Sequence, residues 1–169
     1  MSPPKTQREV RRILGFLGYF RDQIPNYAEI AKPLTDLTSK RYRTSVPWGQ
    51  PHQDAFDALK LALKRATENP LYPVDFSKPL NLFVDASANS VSGALTQLDD
   101  NGKHLPIAFV STKLTETQRR WSVIEREAFA VIAALRKYRH WMFGTIVYIY
   151  CDHNPLSFLT DSVPKSANL

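Results

Sequence analysis

Residues 81–97 read NLFVDASANSVSGALTQ. Leu80, Leu82 and Val84 alternate at strand spacing with Phe83 between them, and Asp85 falls where that strand should end. Small residues at 86–90 make a turn, and a second apolar run returns through Val91, Ala94 and Leu95. An acid at the end of an apolar strand is either a turn-former or a half-buried carboxylate. In the second case it must be paired, hydrogen-bonded or bound to a cation.

Downstream, Asp99-Asp100-Asn101-Gly102 reads as a reverse turn rather than a polymerase-type acid pair, and a third strand follows at 107–111. The spacing predicts a helix over 115–138, with Trp121, Ile124, Ala128, Val131, Ile132, Leu135 and Tyr138 on one face. Glu125 and Glu127 lie on opposite margins of that face, so periodicity does not choose between them, and Arg126 is expected in solvent. The basic last turn (Arg136, Lys137, Arg139, His140) complements the helix dipole. A fourth strand over 145–152 is apolar on both faces, as a central strand is, and it too ends in an acid, Asp152. Asn154-Pro155-Leu156 and a short helix through Leu159 are expected beyond it.

Upstream the pattern is helical. Thr6 and Glu9 form a capping box ahead of Val10, Ile13, Leu14, Leu17 and Phe20. A second helix is expected over 26–37, kinked or broken at Pro33. Lys40, Arg41 and Arg43 read as a solvated loop. A third helix follows Pro51 with the stripe Phe56, Leu59, Leu63 and Ala66. The proline-punctuated stretch LYPVDFSKP then separates a helical unit, 1–76, from a strand-rich unit, 77–169.

The 169 residues carry a net charge of +6, and both units hold more Lys and Arg than Asp and Glu, which favours an anionic partner such as nucleic acid. One cysteine, Cys151, excludes a disulfide framework. Without a signal-peptide pattern or a run long enough to span a bilayer, the chain reads as soluble and intracellular, with no membrane partner.

Three acids therefore stand out: Asp85, Asp152, and either Glu125 or Glu127. If the two strands are neighbours and the helix crosses them, three carboxylates converge and repel unless a cation neutralises them. Oxygen donors without His or Cys clustering suit Mg²⁺ or Mn²⁺. Two such ions would hold a phosphodiester for in-line attack by water, a nuclease chemistry.

The segments LFVDAS, WSVIEREAFAVIAALRKYRHWMFG and YIYCDHNPL resemble the ribonuclease H domain of gypsy-type LTR retrotransposon polyproteins. PKTQREVRRILGFLGYFRDQIPNYAEIAKPLTDL and PWGQPHQDAFDALKLAL resemble the thumb/connection region of the same elements' reverse transcriptase. The resemblance covers essentially the whole chain. It implies an α/β fold, a ribonuclease H-like mixed sheet with a crossing helix preceded by a small helical connection region. It also implies that two Mg²⁺ or Mn²⁺ ions cleave the RNA strand of an RNA–DNA hybrid, within a larger polyprotein in a cytoplasmic virus-like particle or the nucleus. Carried over, the catalytic, metal-holding acids are Asp85, Glu127 and Asp152. Glu127 is the choice because the family's glutamate directly precedes the apolar run matched by Ala128-Phe129-Ala130, with Glu125 as fallback. The family's fourth acid lies beyond the Asp-His-Asn-Pro-Leu motif, so the domain is expected to lack its C-terminal part. Asp161 is too near the motif to match that acid, and His153 belongs to the signature without an assigned role. No polymerase active site is expected. The alternative function is a non-catalytic retroelement fragment that binds nucleic acid or protein.

Overall fold

The computed structural model describes residues 4–42 and 45–152. His153, Asp161 and the helix expected before Leu159 lie outside the described residues, as does Arg43.

Helix α1 (Gln7–Tyr19) starts at the Thr6–Glu9 capping box, with Glu9 N–H donating to the Thr6 hydroxyl at 3.3 Å. Helix α2 (Tyr27–Asp36) contains Pro33 without a break. Burial of Ala31 and Leu34 on either side of the proline holds that turn in place. Helix α3 (Gln50–Glu68) has Pro51 in its first turn, where a missing N–H costs no intrahelical bond. The three share a core made of Leu17, Ile24, Tyr27, Leu34, Phe56 and Leu59, among others.

Strands β1 (Leu80–Ala86), β2 (Ser90–Leu98), β3 (His104–Lys113) and β4 (Val147–Tyr150) form one mixed sheet in the order β3-β2-β1-β4. The β1–β2 and β2–β3 pairs are antiparallel, and β4 lies parallel to β1. Strand β3 begins earlier than expected. Pro106 is accommodated at a bulge, where Leu95 pairs with Ala108 but Thr96 with Pro106, leaving Ile107 as the extra residue. At Gly93, a Cβ would come within 3.0 Å of the Phe83 carbonyl and 3.1 Å of Val110, so this crossing accepts no side chain without a shift.

Helix α5 (Val123–Met142) crosses the sheet after a short helix, α4 (Glu116–Arg119). The single helix expected from residue 115 is thus two, because two capping boxes compete for its start. Thr115 caps α4, and Ser122 caps α5. The buried stripe of α5 is Glu127, Ala130, Val131, Ala134 and Tyr138, while Ile124 and Ile132 are 36% and 41% exposed. The apolar face is therefore turned away from the expected one. The stripe packs on Leu80, Leu82, Val84, Val91 and Leu95, giving a second core separate from the helical one.

Strand β4 corrects another expectation. It is the edge strand among the described residues, not a central one, with Tyr148 51% and Tyr150 46% exposed. Val147 and Ile149 pack toward the α5 core, whereas the tyrosines line the open face, where Tyr150 stacks on Phe83 at 4.6 Å.

The linker 70–79 is stitched to the sheet. Gln97 accepts from Asp75 N–H (2.8 Å) and donates to the Asp75 and Lys78 carbonyls (2.7 and 3.0 Å). Polar contacts bridge the two cores. The Arg21 guanidinium donates to the Ser111 carbonyl (2.6 Å), Ala28 N–H to the Ser111 hydroxyl (2.9 Å), and ion pairs join Lys113 to Asp36 and Lys137 to Asp22.

Candidate metal and nucleic-acid site

Parallel pairing of β1 with β4 sets the geometry. Phe83 is opposite Tyr150, and two residues further each chain reaches an aspartate, Asp85 on β1 and Asp152 just beyond β4. Neighbouring strands lie about 4.8 Å apart, so this register brings two acids to the same end of the sheet on adjacent segments. Both are exposed. Asp85 lines a cleft of about 220 Å³ on the open face with Phe83, Ser92 and Phe109 from the sheet and Pro25 and Asn26 from the helical unit.

Glu127 lies on the other side. It is 3% exposed, at the head of the α5 stripe that packs on the sheet. Glu125 is used elsewhere, as the reciprocal partner of the cap. Its carboxylate accepts from Ser122 N–H (2.7 Å) and the Ser122 hydroxyl (2.9 Å), which holds its pKa below the usual carboxylate range. The two glutamates that periodicity left level are thus separated by the position of the N-cap.

Cys151, next to Asp152 in the chain, packs against the α5 core. Burial first, then the negative charges of Glu127 and Asp152, push its thiol up. A raised thiol pKa lowers the thiolate fraction at neutral pH. Iodoacetamide is therefore expected to alkylate Cys151 more slowly than an unperturbed thiol at pH 7.5, and several-fold faster in Glu127→Gln than in the parent. Equal rates in the two would place Glu127 out of electrostatic reach of this strand end.

Whether these residues suit a metal has two parts. Carboxylate oxygens are the donors Mg²⁺ and Mn²⁺ prefer. Yet among the described residues no group of three or more His, Cys, Asp or Glu side chains lies close enough to hold a metal ion. The expected gathering of all three acids is not present, and side-chain alternation along β1 supplies the reason. Val84 faces α5, so Asp85 faces the opposite side with Phe83, while Glu127 is buried on the α5 side.

The turn after Asp85 carries contacts that the sequence did not announce. Glu29 of α2 accepts from the hydroxyls of Ser90 (2.7 Å) and Ser87 (3.0 Å) and from the Asn89 amide (3.4 Å). Burial raises the Glu29 pKa, but these hydrogen bonds outweigh it and hold the carboxyl below its ordinary value. From the opposite side, Arg126 Nη1 donates to the Ser87 carbonyl at 2.8 Å. Arg126 is accordingly half-buried rather than pointing to solvent, because the turn offers it an acceptor.

A family model described as the RNase H-like domain found in reverse transcriptase matches residues 75–169. The chain is 35% identical over 168 residues to the retrovirus-related Pol polyprotein from transposon opus of Drosophila melanogaster, a match covering 94% of this chain and 16% of that protein. It is 32% identical over 170 residues to the transposon Tf2-3 polyprotein of Schizosaccharomyces pombe, covering 98% and 12% respectively. The foamy viral protease-reverse transcriptase solved in complex with RNA/DNA hybrid aligns with a TM-score of 0.77 at 25% identity, over 99% of this chain and 22% of that one. This chain therefore spans only 12–16% of the length of these two curated relatives. Among the described residues, no helix is long and apolar enough to cross a membrane.

Proposed function

The chain belongs to the RNase H-like domain family found in reverse transcriptase, and from that premise we propose that it hydrolyses the RNA strand of RNA–DNA hybrids as one segment of a retroelement Pol polyprotein. The carrying observation is the register that ends two neighbouring parallel strands in Asp85 and Asp152. Residues 77–169 are the nuclease unit and 1–76 the thumb/connection-like unit. The setting is reverse transcription, in a cytoplasmic virus-like particle or the nucleus.

Asp85, Asp152 and Glu127 would hold Mg²⁺ or Mn²⁺, two ions in all, and the bound ions would supply charge stabilisation at the scissile phosphate. The chain's own part is to present Asp85 and Asp152 at one end of the sheet, with Glu127 buried on the α5 side of it. Its net charge of +6 favours approach of the nucleic-acid backbone. The open cleft beside Asp85 leaves that acid reachable by a strand laid across the sheet end.

The dispersed acids favour a second reading, a module that binds nucleic acid or protein without cutting. Incubation of the chain with an end-labelled RNA–DNA hybrid in MgCl₂ or MnCl₂ separates the two. Cleavage confined to the RNA strand, stopped by EDTA, is expected. Hybrid binding without cleavage in either metal would leave the binding module.

A further inference from the structure

Among the described residues, the turn 86–90 is the only segment of the strand-rich unit that hydrogen-bonds Glu29, and it begins one residue after Asp85. Three donors from three side chains converge on that single carboxylate. Within the turn, Ser87 N–H donates to the Ser90 carbonyl (2.8 Å), and the Ser87 hydroxyl accepts from Asn89 and Ser90 N–H (3.1 and 3.0 Å). Leu114 N–H, just past β3, holds the Asn89 carbonyl at 2.8 Å. With Arg126 gripping the Ser87 carbonyl, α2, β3 and α5 all seize the same few residues. Of these grips, Glu29 alone comes from the helical unit.

Short polar turns of this composition have several conformations of similar energy. A carboxylate accepting several hydrogen bonds selects one of them, because charge-assisted bonds are about twice as strong as neutral ones. The conformation selected fixes where the strand end, and with it Asp85, projects into a cleft that the helical unit itself helps to line through Pro25 and Asn26.

We propose that Glu29 is a positioning residue: by clamping the turn 86–90 it lets the helical unit set the orientation of Asp85 at the candidate site. The proposal rests on the nuclease reading for what Asp85 does, but not for how Asp85 is held.

The test uses the full chain, as parent, Glu29→Ala, Glu29→Gln and Ser90→Ala. Three readouts are taken: amide hydrogen exchange at residues 86–90, the NMR chemical shifts of Asp85, and Mn²⁺ binding by paramagnetic broadening. In Glu29→Ala, exchange in the turn is expected to rise about tenfold, the loss expected for bonds to a charged acceptor. The Asp85 resonances are expected to shift and Mn²⁺ binding to weaken. Glu29→Gln keeps one oxygen for Ser87 and Ser90 but loses the charge and turns an NH2 toward the Asn89 amide, so it is expected to restore only part of the parent's behaviour, while Ser90→Ala reproduces part of the loss.

Unchanged Asp85 resonances and unchanged exchange in Glu29→Ala would overturn the proposal. So would exchange that rises equally at Leu34 and Leu59, since Glu29 would then be supporting the helical core instead. If the parent binds no Mn²⁺ and cuts no hybrid while the Asp85 resonances still follow Glu29, the nuclease reading falls and the positioning role stands.

Discussion

Asp85→Asn is expected to lower hybrid cleavage at least about 100-fold while leaving the melting temperature where it was. The two halves of this expectation have separate causes. Asp85 is exposed, and its carboxylate makes no hydrogen bond or ion pair with any described residue. An isosteric change at such a surface position moves stability by no more than about 0.5 kcal/mol. It also removes a negative charge from beside Asp152, which relieves repulsion when no cation is present. For catalysis the same charge is the asset. A neutral amide is a poor ligand for a hard divalent ion, and each 1.36 kcal/mol of lost transition-state stabilisation is a factor of about ten. Initial rates at saturating MgCl₂, with thermal melts of both proteins, decide the matter. Full activity in the variant would move the metal site away from this end of the sheet.

The strands themselves were legible because each carries its own local signal. Asp85 and Asp152 each close an apolar run, and Gly102, at φ +78°, marks the hairpin between β2 and β3. The sheet that follows is mixed, as the resemblance implied: three antiparallel strands, a crossing helix and a strand parallel to the first. The buried face of α5 was harder to read, since apolar residues occur nearly all around it, with Ile124 and Ile132 left exposed. Periodicity blurs when every face is partly apolar. The signal that resolves it was present: Ser122 and Glu125 have capping-box spacing, which starts the helix at residue 123 and commits Glu125 to the cap. The position of β4, an edge strand among the described residues, was misread for a related reason. Two apolar faces suggested a strand between neighbours, whereas Tyr148 and Tyr150 occupy an open face. The Glu29 clamp had no local signature at all, its partners being 58 to 61 residues away. Such a contact comes from how two separately formed units dock.

Position along α5 makes the final expectation a paired one: Glu127→Gln removes cleavage, and Glu125→Ala removes stability. Glu125 accepts two hydrogen bonds from Ser122 at the helix N-terminus, where a negative side chain also suits the dipole. Its truncation is expected to cost about 1 kcal/mol, seen as a fall of about 2–4 °C in melting temperature for a chain of this size, with hybrid cleavage retained. Glu127 is buried two residues further on, within electrostatic reach of Cys151 and so of the strand end that carries Asp152. Glutamine keeps its volume and removes its charge. If that charge helps hold cations at the sheet end, cleavage falls about 100-fold or more, and Cys151 becomes easier to alkylate in the same protein. Retained cleavage with faster alkylation would show Glu127 to be close yet dispensable, leaving Asp85 and Asp152 to carry the metal between them. Lost cleavage in Glu125→Ala, with the helix still formed, would transfer the role to the glutamate that the cap now engages.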